Sequence, residues 1–285
     1  MNGKRWGNVL IYWAGTRRHG KAWCVDDEMV VEPFFWVIGW GMLLSIVIPA
    51  FNEEKELPGC LAAIGAAVAA CGLGTGEVEV VVCDNNSTDL TAEVARRAAA
   101  VVVFEPVNQI SRARNTGAAA ARGEWLLFVD ADSRLDPVNL RRVVALARAD
   151  EPVVGGGCVI ALEGVPWWTR PGVWAWNFYS AVRGVAAGSF VFCRAEVHRE
   201  VGGFSVERFA AEELDYSRQL RACGRAQGRR FVVLRGCPHL SSGRKFRQRP
   251  PIELMMLLFR MLMGYRHVIR KPTALDYFYD GRREP

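Results

Sequence analysis

The chain has 285 residues, half of them apolar, and 36 Lys and Arg against 30 Asp and Glu, a net charge of +6. That length buries a real core and gives one large domain, or one domain with appendages. The eight cysteines, with no Cys-x-x-Cys pair, exclude a disulfide framework or zinc site and read as reduced thiols of a cytosolic protein. No apolar run reaches the roughly 18 residues of a spanning helix, and the basic start at Lys4 and Arg5 leads into no long apolar leader, so export is not expected. Without an aromatic-studded basic groove or a helix-turn-helix or RNA-binding signature, nucleic acid is not an expected partner.

In chain order, residues 1–42 read as an atypical appendage, with Trp6, Trp13, Trp23, Trp36 and Trp40 among mixed charges. It is open to two readings: an upstream translation artefact with Met42 as the natural start, or a short arm packed on the core. From 43 a βα alternation begins. Leu43–Ile48 is a strand, and Leu57, Leu61, Ile64 and Val68 mark one helical face. Val78–Cys83 is a second strand, followed by a helix capped near Thr88 or Asp89 and running to about Ala100. Val101–Phe104 is a third strand, Gln109–Arg122 a helix with a small-residue face, and 125–129 a fourth strand.

Unbroken Val, Ile and Leu strands alternating with helices predict an α/β fold. Its mostly parallel central sheet is covered by helices on both faces, with ligands at the carboxyl ends of the strands. Three polar clusters then share one rim: Pro49-Ala50-Phe51-Asn52-Glu53, Asp84-Asn85-Asn86-Ser87-Thr88-Asp89 and Asp130-Ala131-Asp132. Strand alternation points Asp130 and Asp132 the same way with the small Ala131 between them. Two hard oxygen ligands suit Mg²⁺ or Mn²⁺, with phosphates and water completing the shell; the alternative is an Asp132-Ser133 turn before the helix opening near Pro137. Asp84 can accept from a base or ribose, and Arg112 and Arg114 offer guanidiniums for pyrophosphate or base, or a solvated basic face.

These residues resemble a known family. Ser45–Glu53, Asp84–Asp89, Ala113-Arg114-Asn115-x-Gly117 and Gly123-Glu124-x-Leu126-x-Phe128-Val129-Asp130-Ala131-Asp132, in this order and spacing, look like the nucleotide-binding half of family 2 glycosyltransferases with the GT-A fold. The resemblance covers about 43–245, with 43–132 as the nucleotide-binding half and 133–245 as the acceptor half. It continues in Gly188-Ser189-Phe190 and Val201-Gly202-Gly203-Phe204, which look like the acceptor-side segment, so Gly188, Gly203 and Phe204 are expected there. It ends in Ala211-Glu212-Glu213-Leu214-Asp215.

The resemblance implies inverting, metal-assisted transfer of a sugar from a nucleoside-diphosphate donor to an acceptor hydroxyl. Asp130, Ala131 and Asp132 would hold the metal-diphosphate. Asp84, Asn86, Arg114 and the Pro49–Glu53 loop would take the nucleotide, and Glu213 would be the base. The family usually has Glu-Asp where this chain has Glu212-Glu213, so Glu212 and Asp215, which share a helical face about 100° from Glu213, stay in contention. The resemblance also suggests a metal role for His239, against a loop histidine with a surface hydrogen bond. A nucleotidyltransferase wants a Gly-rich, basic phosphate loop where this chain has Pro-Ala-Phe-Asn-Glu; a non-catalytic sugar-nucleotide binder of the same fold is kept open by Glu213.

The tail, 246–285, reads as helical. Its stretch 252–265 is broadly apolar but interrupted by Arg260, and 252–271 is open to two readings: an interfacial helix at the inner face of a membrane, which would favour a lipid-linked acceptor, or a helix buried against the domain or in a homodimer. Arg244 and Lys245 would close on the diphosphate or face lipid headgroups.

Overall fold

The computed structural model describes residues 41–243 apart from 75, 150 and 208–210. The expected tail, including 252–271, Arg244 and Lys245, and all but Gly41 and Met42 of the expected appendage lie outside the described residues.

The predicted alternation is present. Strand β1 (Leu44–Ala50) is buried along its length and already contains Pro49 and Ala50, so the first loop begins at Phe51 and not at Pro49. Helix α1 (Leu57–Ala70) starts with Pro58 in its first turn, where the missing N–H costs nothing. It turns Leu57, Cys60, Ile64 and Ala67 inward; Leu61 and Val68, expected on that face, are only partly buried, because the small Cys60 and Ala67 admit the closer approach to the sheet.

Strand β2 (Val78–Asp84) leads to α2 (Thr91–Arg97), whose first N–H, that of Thr91, is accepted by Asp89 Oδ1 at 2.9 Å. This helix stops short of the expected Ala100, since Ala99 has φ +57°, a conformation no helix continues through. The edge strand β3 (Val101–Phe104), helix α3 (Ile110–Ala120), strand β4 (Trp125–Val129) and helix α4 (Pro137–Arg148) follow. The second half comprises β5 (Val153–Glu163), a single 3-10 turn (Trp167–Thr169), α5 (Arg170–Arg183), β6 (Phe190–Arg194), α6 (Ala195–Glu200), α7 (Glu212–Ala226) and β7 (Arg230–Ser242).

The strands form one sheet in the order β3-β2-β1-β4-β6-β5-β7. Only β6 runs antiparallel to its neighbours. The carboxyl ends of β1 to β4 therefore share an edge, with Ala50 beside Asp84 and Asp84 beside Phe104. Reversal of β6 places its start, Phe190, against Val129 at the end of β4, which delivers Gly188 to the same rim. Alternate side chains feed two cores: Ile46 and Ile48 pack with α1 and α4 on one face, while Val47, Leu126 and Phe128 pack with Phe204, Tyr216 and Leu220 on the other.

The register of β4 is pinned where the chain enters it. Gly123 N–H donates to Ser45 Oγ (2.8 Å), and Ser45 donates to the buried Glu79 carboxylate (2.6 Å). A Cβ on Gly123 would lie 2.5 Å from the backbone nitrogen of Ser45. Gly123→Ala is expected to cost about 1–3 kcal/mol in urea unfolding, the usual range for overpacking; an unchanged midpoint would show that the backbone yields there.

Candidate active site

Two loops of the rim are braced into one wall. Asn52, at φ +52°, accepts the Thr88 N–H at 2.8 Å through its side chain and donates its own N–H to Ser87 Oγ at 3.0 Å. Glu53 N–H donates to Thr91 Oγ1, Glu54 N–H to Asp89, and Leu90 N–H to Glu54. Asp84 is buried and accepts the Ser87 N–H at 3.0 Å, which curls the second loop over the strand end and leaves Asn86 at φ +65°. Phe51 is half-buried beside them.

Asp130 and Asp132 do not lie in a strand. Strand β4 ends at Val129, and the Ser133 N–H bonds back to the Asp130 carbonyl (3.0 Å) to close a turn. Strand alternation therefore does not orient this pair. The turn itself brings both carboxylates within electrostatic reach of Cys60: burial pushes that thiol up to about 12 against the pull of Arg134, and Asp132 and Asp130 both add to the rise. Ala131 is buried beneath them.

Arg114 is the centre of the site. Its side chain, 1% exposed, donates to Asp130 Oδ1 (3.0 Å), Glu212 Oε1 (2.7 Å) and the Gly188 carbonyl (2.9 Å). Burial alone would lower its pKa, but Asp130, Glu212 and Glu213 outweigh that and leave it raised. The guanidinium lies 5.2 Å over the Phe204 ring, which stacks on Tyr216 (3.9 Å) and meets Phe128 edge-on (5.0 Å). Phe204 is thus a buried floor and presents no face to an acceptor. Gly203 has φ +73°, and the Asn115 amide clamps the backbone of Phe204 by both its N–H and its carbonyl (2.9 and 2.8 Å).

The three acids of 211–215 separate. Glu212 is committed to Arg114 and Asp215 pairs with Arg218 (3.0 Å). Glu213 is half-buried, and a Cβ on Gly188 would stand 3.8 Å from its carboxyl carbon. Burial first and Glu212 second push its carboxyl up, to about 8, against Arg114.

His239 is not a loop residue. It lies within β7, opposite Ile160, fully buried with its ring 5.0 Å from Phe190. Neither ring nitrogen has a well-aligned hydrogen-bond partner, although the Ser189 backbone is close enough to act on the ring. Burial lowers its pKa to about 4 while Asp130 opposes the fall, so the imidazole is neutral and within the field of that carboxylate. Among the described residues no three His, Cys, Asp or Glu side chains form a ready cage for a metal ion.

Residues 45–210 match the model for glycosyl transferase family 2. The chain belongs to that family. An uncharacterised glycosyltransferase of Mycobacterium tuberculosis is 37% identical over 140 residues, 48% of this chain and 60% of the relative. An undecaprenyl-phosphate 4-deoxy-4-formamido-L-arabinose transferase of Aeromonas hydrophila is 35% identical over 121 residues, 40% of this chain and 36% of the relative. The chain thus matches these relatives over less than two thirds of their length. Among solved structures, the mannosyltransferase PcManGT of Pyrobaculum calidifontis with GDP-Man and Mn²⁺ superposes with TM-score 0.56 at 22% identity, over 70% of this chain and 56% of that one. Glucosyl-3-phosphoglycerate synthase of Mycobacterium tuberculosis gives 0.52 at 20%, over 75% of each chain. The family 2 chain has the GT-A fold.

Two positions in this family 2 site escaped the sequence reading of the site. Asn85 donates to the Glu105 and Val107 carbonyls and accepts the Gln109 N–H (2.9 Å), so it ties the second loop to the start of α3. Asn115 sits inside a motif the sequence displayed, yet its partner is 89 positions away, beyond any spacing argument.

Removing Arg114 would strand two carboxylates in a poorly solvated place. Arg114→Ala is expected to lose about 3–5 kcal/mol of unfolding free energy, and a loss under about 1 kcal/mol would refute the central role. Glu213 gives the opposite sign. Its carboxyl is protonated in the fold and ionised in the unfolded chain between the ordinary value of about 4.3 and about 8, so stability falls as pH rises through that interval and the full penalty stands above it. Glu213→Gln should therefore raise Tm above pH 8 and change it little in acid; equal shifts at both ends would contradict the raised carboxyl.

Proposed function

We propose that this family 2 chain transfers a sugar from a nucleoside-diphosphate donor to an acceptor hydroxyl, with inversion and with Mg²⁺ or Mn²⁺. The observation that carries the reading is the meeting of Asp130, Glu213 and Arg114, with Asp132 on the turn that begins at Asp130, on the rim that also holds the braced 51–54 and 84–91 loops. Asp84, Asn86, Phe51 and Asn52 take the nucleoside. Pro49 and Ala50 fix the strand end beneath them, and Glu53 anchors the loop.

The residues present fit a divalent ion shared with substrate phosphate. Two carboxylates lie on one turn, and neither ring nitrogen of the nearby, fully buried His239 has a well-aligned hydrogen-bond partner, while a closed protein-only cage is not formed. Asp130 and Asp132 would hold the ion, with His239 beside them. When bound, such an ion offsets the negative charge that gathers on a departing diphosphate. Arg114 holds Asp130 in place and fixes the start of α7 through Glu212.

A sugar hydroxyl is a poor nucleophile until a positioned carboxylate accepts its proton as the new bond forms. Glu213 fills that role: it stands beside Gly188, and its raised pKa lies near the pH at which a base is most effective. Glu212 and Asp215 are held by arginines and are poorer candidates. The name of the undecaprenyl-phosphate relative supports a lipid-linked acceptor. A lipid-linked acceptor would place the reaction on the cytoplasmic side of a membrane, at its inner face. No helix among the described residues is long and apolar enough to cross a membrane.

Calorimetric titration with UDP-, GDP- and dTDP-sugars, with Mn²⁺ and with chelator, tests the donor site. One donor should bind only with metal, and Asp132→Asn should abolish that; failure of every nucleotide to bind would overturn the reading. With a turnover assay, Glu213→Gln should lower kcat about 10²–10⁴-fold with donor affinity kept, and the wild-type rate should climb with pH above the ordinary carboxylate range as Glu213 ionises. Full activity in the variant would remove Glu213 as the base.

A further inference from the structure

Helix α5 shows a broad aromatic stripe to solvent. A surface helix normally buries its apolar stripe and shows its polar one. Here Asn177 faces the sheet, accepting the Ile160 N–H (2.9 Å) and donating to the Ile160 carbonyl (2.8 Å), and Ser180 is the helix's buried residue, bonded to the Val185 carbonyl at 2.6 Å. The opposite face carries Trp174, Phe178 and Val182 at four-residue spacing, 71%, 60% and 64% exposed, with Trp167 (77%) just before the helix. Trp174 and Phe178 stack on each other at 5.8 Å, which orders the stripe without hiding it. Asn177 and Ser180, with the half-buried Val173 and Trp176, hold the helix against the domain, and among the described residues Trp174, Phe178 and Val182 stay largely uncovered.

The border of this stripe is basic. Arg170 and Arg183 are exposed at its two ends. Arg218, Arg221 and Arg225 of α7 gather beside its carboxyl end: Arg221 donates to the Arg183 carbonyl, and its own pKa is lowered by burial and then by Arg225, Arg183 and Arg218. Asp215, paired with Arg218, is an acid within this group, and Glu163 lies before the 3-10 turn at the other end. Exposed tryptophan and phenylalanine edged by guanidiniums match the boundary between acyl chains and anionic headgroups. Fourteen residues at about 1.5 Å each are too short to span a bilayer, so the helix would lie in its plane.

We propose that the Trp174–Phe178–Val182 face of α5, with Trp167 and the arginines around Arg183, docks the protein on an anionic lipid bilayer. None of these residues belongs to the proposed donor site, and lipid binding needs no turnover to be detected.

The test is flotation of the full chain with phosphatidylcholine vesicles, with and without phosphatidylglycerol, at low and high salt. Wild type should float with the anionic vesicles and be released by salt. Trp174→Ser/Phe178→Ser and Arg183→Glu/Arg225→Glu should each weaken binding about tenfold or more, with circular dichroism and nucleotide titration unchanged from wild type, so that failure here is separable from failure of the donor-site reading. The proposal is overturned if wild type does not float, if it floats equally on neutral vesicles, or if either double variant floats like wild type, which would place the lipid contact elsewhere. A lipid-free dimer seen by sedimentation velocity and lost in Trp174→Ser/Phe178→Ser would also overturn it by assigning the face to a second copy.

Discussion

One buried guanidinium organises this molecule. Arg114 leaves α3 in the first half of the sheet and binds a carboxylate at the end of β4, a carboxylate at the start of α7 and a carbonyl just before β6. A buried charge is tolerated only when its partners are well placed, and these partners come from segments far apart in the chain. The arrangement is therefore complete or costly, with little between. It also leaves the rim acidic, since Asp130, Glu212 and Glu213 all act on this one buried cation. That surplus helps raise Glu213 and would favour a divalent ion near Asp130.

The wall made by the 51–54 and 84–91 loops achieves order by a different route. Its two loops contribute few apolar contacts of their own, but side-chain amides, hydroxyls and carboxylates of each cap the backbone of the other. Loops braced in this way have given up their freedom during folding, and a ligand arriving there has less ordering to bring about. The left-handed Asn52 and Asn86 are part of that arrangement, because asparagine adopts this conformation more readily than other side chains.

The sheet was legible because apolar runs of strand length are a strong one-dimensional signal, and the rim followed from the rule that ligands gather at carboxyl ends. What was hidden depends on partners remote in sequence. Nothing local tells that Glu212 points at Arg114 and Glu213 does not, or that His239 belongs to a strand continuing past Gly236 and Pro238, residues that ordinarily end one. The turn after β4 defeated an argument from strand alternation by one residue. The exposed stripe of α5 was invisible because a helical pattern shows apolar residues but not which of them face the sheet.

The chain order of the partners of Arg114 has a consequence for how the protein is made. Strands β1 to β4 all precede β6 and β7 in the chain, and β6 joins β4 through Trp125 and Arg194 while β7 joins β5 through Val153 and Arg230. As the ribosome releases the chain, Asp130 is made soon after Arg114, whereas Gly188 and Glu212 follow much later. The guanidinium can shed its water fully only once those two segments exist, so the rim around Arg114 is completed by the second half of the chain.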